Sequence, residues 1–368
     1  MTNDERRTTN DERRTTNDDS ASLVVGRSRV PSGRVDLSII IVSWNVWDLL
    51  RACLRSLERV SRPIADPANS IRYFGLSPQQ ASLEVIVVDN AGSDATADLI
   101  PTLFPWVRLI RNERNLGFTA ANNQGYAVSH GQFIFFLNPD TEIIDGSDHG
   151  DSLWRLFAAI RQDETIGIVG PQLRYADNSP QNNRRRFPHP LTGFFESTWA
   201  GQWWPRNPWS KHLHMDDWPS TFRHDVDWLV GAAILARWTA LEAVRTEQAG
   251  GPFDEGFFMY SEELDLCRRL KGAGWRIVYV PEAIIIHYEG RSSEQVVAAR
   301  HIHFNTSKVR YYRKYHGAYW AELLRRYLLL EFHLQLLLER VKRRLHHKVT
   351  LRTVRIAAYR QVIESKFD

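Results

Sequence analysis

Asp89, Asp140, Glu263 and His287 are the side chains of this 368-residue chain whose types and positions could do chemistry together. Asp140 ends Phe135-Phe136-Leu137-Asn138-Pro139-Asp140, an apolar run that stops in a turn. Pro139 has no N–H to continue a ladder and holds its predecessor extended. Asp89 and Asn90 end a second apolar run, Asn45 a third and His287 a fourth. Singly, such residues are ordinarily helix caps, turn residues or structural histidines. Collected at the carboxyl ends of neighbouring strands they mean more, because open α/β sheets bind ligands there. Glu262 and Glu263 open a helical stretch, where acids ordinarily answer the helix dipole. Asp265 and Arg269 stand at i,i+4 pair spacing. Hard oxygen donors at strand ends suit Mg²⁺ or Mn²⁺, metals that bridge a diphosphate to one or two carboxylates.

The elements that must deliver these groups show in the hydrophobic pattern. Leu37–Asn45, Glu84–Asn90, Val107–Arg111 and Gln132–Leu137 read as buried strands. Helical periodicity over Val46–Val60, from about Asp94, and over Thr119–Ser129 separates them, which predicts a doubly wound, largely parallel sheet. Residues 61–82 carry three prolines and no period, and read as a long surface loop. A helix at about 148–163 and a strand at Ile166–Pro171 follow. Between Tyr175 and Asp225 the chain turns polar and rich in tryptophan, with Arg184-Arg185-Arg186 inside it. That excursion reads equally as a lid or as a satellite cluster of aromatics. Asp227–Ala233 resumes the core, Ser261–Lys271 reads as a helix, and Arg276–Val280 and Ala283–Ile286 as two apolar segments.

Composition bounds the rest. Apolar content of 43% and charged content of 24% are those of a globular protein. Two cysteines, Cys53 and Cys267, exclude a disulfide framework and fit buried thiols in a reducing compartment. No signal-peptide core or long uncharged span is visible, so the expected location is cytoplasmic. Thr2–Thr8 repeats at Thr9–Thr15 without an apolar residue, and residues 1–34 read as a disordered tail. Residues 306–368 hold 15 Lys/Arg against 5 Asp/Glu. Within them, apolar residues recur at 323, 327, 330, 334, 337, 341 and 345, close to a 3.5-residue period. That basic amphipathic helix, 320–347, has three readings: contact with an anionic membrane surface from the cytoplasmic side, the seam of a homo-oligomer, or packing on the rest of the chain. It carries no recognisable nucleic-acid module. Glycine-rich phosphate loops, a GxSxG elbow and an HExxH helix are all missing.

Ser38-Ile39-Ile40-Ile41-Val42-Ser43-Trp44-Asn45, Val88-Asp89-Asn90-Ala91-Gly92-Ser93-Asp94, Asn115-Leu116-Gly117-Phe118 with Ala121-Asn122-Asn123-Gln124-Gly125, and Leu137-Asn138-Pro139-Asp140 resemble the successive signatures of family 2 glycosyltransferases. Val230-Gly231-Ala232 and Phe253-Asp254-Glu255 through Arg269 resemble its rhamnosyltransferase-like branch. The resemblance spans roughly residues 36–305. It implies a GT-A fold over 35–305, a Rossmann-like mixed, mostly parallel sheet flanked by helices, followed by a helical C-terminal extension over 306–368. It implies inverting transfer of a sugar, rhamnose in this branch, from a nucleotide-diphosphate donor of the dTDP or UDP type. The acceptor would be a hydroxyl of a cell-surface or lipid-linked glycan.

Residue by residue, the resemblance places Asn45, Asp89, Asp94, Asn115, Asn122 and Asn138 on the donor, with Arg291 reaching towards its phosphates. Asp140 and His287 fall on the divalent-metal site, Mg²⁺ or Mn²⁺. Asn138 stands where relatives have a first Asp, leaving Asp140 as the single anionic ligand. The catalytic base is the second acid of a pair at a helix start, here Glu263, with Glu262 and Asp265 as the other candidates. Two rivals remain. A sugar-nucleotidyltransferase would need a glycine-rich loop after the first strand, which Ser43-Trp44-Asn45-Val46 lacks. A catalytically silent glycan- or nucleotide-binding protein of the same fold is motivated by Asn138 and the Glu-Glu pair.

Overall fold

The apolar runs become strands of one mixed sheet in a computed structural model that describes residues 35–64, 70–75, 78–146, 150–245, 250–288 and 297–367. The tail over 1–34 and Arg291 lie outside the described residues. Strand β1 (Val35–Ser43) leads through α1 (Trp47–Arg59) to β2 (Ser61–Pro63), β3 (Ile71–Phe74) and β4 (Ala81–Asp89). Next come α2 (Thr96–Leu103), β5 (Val107–Arg111), α3 (Phe118–Ala127) and β6 (Gly131–Leu137). Then follow β7 (Thr141–Ile143), the short β8 (Asp145–Gly146) and β9 (Gly150–Asp151), α4 (Ser152–Gln162) and β10 (Ile166–Arg174). The aromatic excursion forms β11 (Pro180–Gln181), β12 (Arg184–Arg185), α5 (Thr192–Phe195), α6 (Trp199–Trp203), α7 (Pro208–His214) and β13 (His224–Asp225). The chain returns through β14 (Trp228–Leu229), β15 (Ala233–Arg237), α8 (Trp238–Ala243), α9 (Glu262–Gly272) and β16 (Arg276–His287). It ends in α10 (Val297–Tyr315), α11 (Ala318–Arg344) and α12 (Val349–Ser365).

β1 lies parallel to both β4 and β6, β4 is parallel to β5, and β10 is parallel to β16. β15 runs antiparallel between β6 and β10 and makes the sheet mixed. Parallel strands are covered on both faces, which is why β1 reads as an unbroken apolar run. Leu37, Ile39 and Ile41 enter a core shared with α1 and α4, and Ile40 enters a second core shared with α9 and the C-terminal helices. All four are fully buried, each side chain contributing roughly 1.5–3 kcal/mol. α3 lies directly on β1: a Cβ at Gly125 would stand 2.5 Å from Ile40 Cγ2, so any side chain there pushes the helix off the sheet. In-register pairing of Ser43 with Asp89 brings the carboxyl ends of β1 and β4 out side by side, with β6 next to β1.

Two expectations are corrected, and the readings of α11 are narrowed. Residues 61–63 and 71–74 are not loop but an antiparallel pair that extends the sheet beyond β4. Buried Arg72 hid the strand pattern; its guanidinium bonds Ser61 Oγ (2.8 Å) and Ser61 O (3.0 Å) and covers the Trp106 ring. The two apolar segments at 276–280 and 283–286 are one strand, β16, whose register against β10 shifts near Pro171 and Gln172. Of the readings of the α11 stripe, packing on the rest of the chain holds for Tyr327 alone, which meets Phe194; Leu323, Leu330, Leu334, Leu337, Val341 and Leu345 are exposed. The packed face carries Ala321, Leu324, Leu328 and Phe332 instead. Glu331 and Glu339 on that face masked it, and Glu339 is neutralised by buried Arg352 at 2.9 Å.

Candidate active site

The strand ends gather polar side chains on strained backbone. Asn45 (φ 54), Ala91 (φ 61), Tyr260 (φ 70) and Ser261 (φ 62) hold left-handed conformations, which cost a non-glycine residue roughly 1–3 kcal/mol each and collect at functional sites. Asn45 follows β1, and its Oδ1 accepts the Ser93 N–H at 2.6 Å. Asp89 is buried at the end of β4 and accepts the Gly92 N–H at 3.0 Å. Desolvation raises its pKa, which is the direction expected of a carboxylate kept from water. Asp94 accepts the backbone N–H groups of Trp47 (2.8 Å) and Thr96 (3.1 Å), joining the starts of two helices to this turn.

An amide network links this edge to the next loop. Asn90 donates to Asn115 Oδ1 (2.9 Å) and Gly117 O (3.1 Å), and accepts from Asn112 Nδ2 and the Leu116 N–H, both at 3.0 Å. Every hydrogen-bonding position of the Asn90 amide is filled, so this residue fixes the loop. Asn122 is enclosed, with Nδ2 turned to Phe118 O (2.9 Å), whereas Asn123 reaches across to Phe253 and Glu255. The Phe118 N–H donates to Phe258 O at 2.8 Å. Gly117 has φ 90, and a Cβ on it would stand 2.7 Å from the Phe258 ring. Gly117→Ala is therefore expected to cost about 2–4 kcal/mol from left-handed strain and the clash. It should also loosen nucleotide binding; calorimetric unfolding and a nucleotide titration of the variant check both.

Asp140 is buried after β6, with His287 opposite at the end of β16: Asp140 Oδ1 and His287 Nε2 are 3.5 Å apart. The His287 Nδ1 lies 2.9 Å from Gln181 Oε1. With that oxygen as acceptor, Gln181 fixes the imidazole ring so that Nε2 faces the carboxylate. Asp140 Oδ1 and Asn138 Oδ1 are buried without a hydrogen-bond partner. An imidazole nitrogen, a carboxylate oxygen and an amide oxygen are donor types that suit a divalent cation. Among the described residues no group of three His, Cys, Asp or Glu side chains could hold a metal ion. A divalent ion here would rest on Asp140, His287 and the Asn138 amide oxygen, and the residues fit it to that extent.

Glu263 joins the same corner. The Asn138 N–H donates to Ala232 O at 2.8 Å, and the neighbouring Gly231 lies against Glu263. The backbone N–H groups of Gly231 and Leu264 favour the charged form of the Glu263 carboxyl. Glu262 is fully enclosed, and Oε2 of each glutamate has no hydrogen-bond partner. Burial raises both pKa values, Glu262 the more strongly because the Glu263 charge adds to it; backbone N–H groups and the Arg185 charge hold Glu263 lower. Two adjacent carboxyls in unequal surroundings divide into one that keeps its proton and one that ionises. Asp265 is set apart. It is completely buried, with Oδ2 on Arg269 (2.8 Å) and Oδ1 on Lys314 (2.6 Å) and Tyr315 (2.8 Å), and it serves as the hub of a packing network.

The arginine triplet of the excursion divides by task. Arg184 donates to Trp218 O and Pro219 O and lies over Tyr279, and Arg186 clamps Asp217. Arg185, on β12 beside β14, donates to Asn182 O and Arg184 O (both 2.8 Å), and its charge favours the Glu263 anion. The sequence assigned no site role to Arg185, Gln181 or Asn90. Asn90 sits inside the quoted Val88–Asp94 signature and could have been drawn from it. The other two come from the irregular excursion, where no periodicity assigns a direction to a side chain. The excursion holds the aromatic cluster it was expected to resemble, with Phe195, Trp204 and Trp209 packed together, and Gln181 reaches His287 from it.

Comparison with known proteins agrees with this architecture. Residues 38–238 match the family model described as glycosyl transferase family 2. The chain is 32% identical over 254 residues to the N-acetylglucosaminyl-diphospho-decaprenol L-rhamnosyltransferase of Mycobacterium tuberculosis, covering 66% of this chain and 78% of that one. It is 44% identical over 63 residues to the rhamnosyltransferase WbbL of Escherichia coli, 17% of this chain and 22% of that one. A solved mannosyltransferase from Pyrobaculum calidifontis, in complex with GDP-Man and Mn²⁺, overlays 91% of this chain and 86% of its own with a TM-score of 0.48 at 13% identity. The chain belongs to glycosyl transferase family 2, as a GT-A-fold glycosyltransferase of the rhamnosyltransferase-like kind.

Proposed function

We propose that the protein transfers rhamnose from a nucleotide-diphosphate donor, with inversion, to a hydroxyl of a glycan carried on a lipid diphosphate. The observation that carries this reading is the joining of two chemistries on one short segment. Asn138, next to the orphaned Asp140 carboxylate, bonds Ala232, and Glu263 leans on Gly231. Asn45, Asp89 and the Asn90-anchored loop would take the nucleoside. A divalent ion held by Asp140, His287 and Asn138 would neutralise charge on the departing diphosphate. Glu262 keeps its proton, and Glu263, as the anion, takes the proton of the acceptor hydroxyl as that oxygen attacks the anomeric carbon. The names of the relatives support rhamnose and a diphospho-polyprenol acceptor.

Calorimetric titration with dTDP, UDP and GDP and with their sugars, each with and without Mn²⁺, tests the donor half. Saturable binding of a rhamnosyl nucleotide, strengthened by metal, is expected; metal-independent or absent binding of all of them contradicts it. The base has its own test in pH. A buried carboxyl with a raised pKa keeps its proton to higher pH, so the base form appears only above the ordinary Glu value of about 4.3. The acidic limb of kcat/KM should lie above that value. Arg185→Met removes a cation that favours the anion and should move the limb further up, and Arg185→Lys should restore it. An unmoved limb in Arg185→Met counts against Glu263.

A further inference from the structure

We propose that the outward face of α11, continued onto the start of α12, docks on an anionic bilayer surface with the helix lying in the plane of the headgroups. At 100° per residue, Leu323, Leu330, Leu334, Leu337, Val341 and Leu345 fall within an arc of about 80°, and each is exposed by 41–74%. Tyr319, 74% exposed, falls on the same side one turn earlier, and Val349, Leu351 and Val354 of α12 are exposed beyond it. Among the described residues no helix is long and apolar enough to cross a membrane. A contact made by this face would run along a bilayer surface.

Charge selects the occupant. Arg326, Arg340 and Arg344 project along one edge of the apolar arc, and all are exposed. Lys342 lies beyond the other edge and is exposed too. The acids of α11 all have partners: Glu322 pairs with Arg325 and with Arg326 of the border itself, so the border's charge rests on Arg340 and Arg344; buried Glu331 takes the Trp199 N–H (3.0 Å), and buried Glu339 takes Arg352. An apolar ridge with a cationic border and no uncommitted carboxylate matches anionic headgroups over acyl chains. A second copy of the chain fits less well, because a two-fold seam would set the basic border against itself. Beside α11, helix α6 exposes Trp203 by 88%, the most exposed large apolar side chain among the described residues, and tryptophan favours the bilayer interface.

The test is co-sedimentation of the full chain with vesicles of phosphatidylcholine alone and of phosphatidylcholine with phosphatidylglycerol, at low and high salt. Binding to the anionic vesicles, reduced by salt, is expected. Leu330→Glu with Leu337→Glu should weaken it at least tenfold without lowering the melting temperature, since both side chains already face solvent. Arg340→Gln with Arg344→Gln should weaken binding to anionic vesicles alone, and it serves as the second variant if the first unfolds. Wild-type protein that stays in the supernatant, or variants that bind as it does, overturns the proposal. So does light scattering that finds a dimer which the Leu330/Leu337 variant converts to monomer with vesicle binding unchanged. Lipid binding is read without any sugar transfer, so its failure leaves the transferase reading untouched, and the reverse holds.

Discussion

Glu263→Gln is expected to lower transfer by roughly 10³-fold, within the range by which a positioned general base accelerates proton transfer, while donor affinity stays near that of the wild type. Gln is isosteric and keeps the packing against Gly231, so the fold should hold. Removing a buried carboxyl whose pKa burial has raised should even stabilise the protein slightly above pH 5, where the wild-type group pays its ionisation cost. Glu262→Gln is the control. Its carboxyl is the one expected to stay protonated, so the amide replaces a neutral donor with a neutral donor and activity should fall far less. If the two variants reverse, the proton-accepting role passes to Glu262.

Asp140→Ala is expected to remove the metal-dependent part of donor affinity and to lower transfer by on the order of 10³-fold or more. The loss should be heavy because Asn138 provides no charge, so no second carboxylate of that turn remains for the ion. Stability should move little or rise. Asp140 Oδ1 has no hydrogen-bond partner, and the backbone bond from the Tyr288 N–H to Asp140 O (2.9 Å) survives the substitution. Isothermal titration with Mn²⁺ present and absent, beside a thermal melt, separates the two effects. Asn138→Asp should act oppositely, tightening metal-dependent binding. An Asp140→Ala protein whose donor binding still responds to metal would show that the ion sits elsewhere.

The order of strands and most of their ends could be read from the chain because parallel strands buried on both faces announce themselves as apolar runs. β5 matches its expected span of Val107–Arg111. What failed was structure built with buried polar groups. Arg72 inside β3 and the two glutamates on the packed face of α11 broke the patterns on which periodicity depends. The strand-end acids were legible, since a strand that stops in a polar turn marks its own end. The partners of those acids were not. Gln181 beside His287 and Arg185 near Glu263 come from the excursion between β10 and β14, whose path is set by tertiary contacts such as the Gly193 N–H to Tyr312 hydroxyl bond (2.6 Å). Asp265 pairs with Arg269 as their i,i+4 spacing suggested, and Lys314 and Tyr315, which the spacing did not reveal, take its other oxygen.

The most direct test of the central claim is a transfer assay with N-acetylglucosaminyl-diphospho-polyprenol as acceptor and dTDP-rhamnose as donor, in Mn²⁺, read by mass spectrometry of the lipid. The wild-type protein should add one rhamnose to the acceptor. Glu263→Gln should leave the acceptor unchanged while still binding the donor. Unmodified acceptor with the wild-type protein, or rhamnosylation by Glu263→Gln at the wild-type rate, would contradict the account.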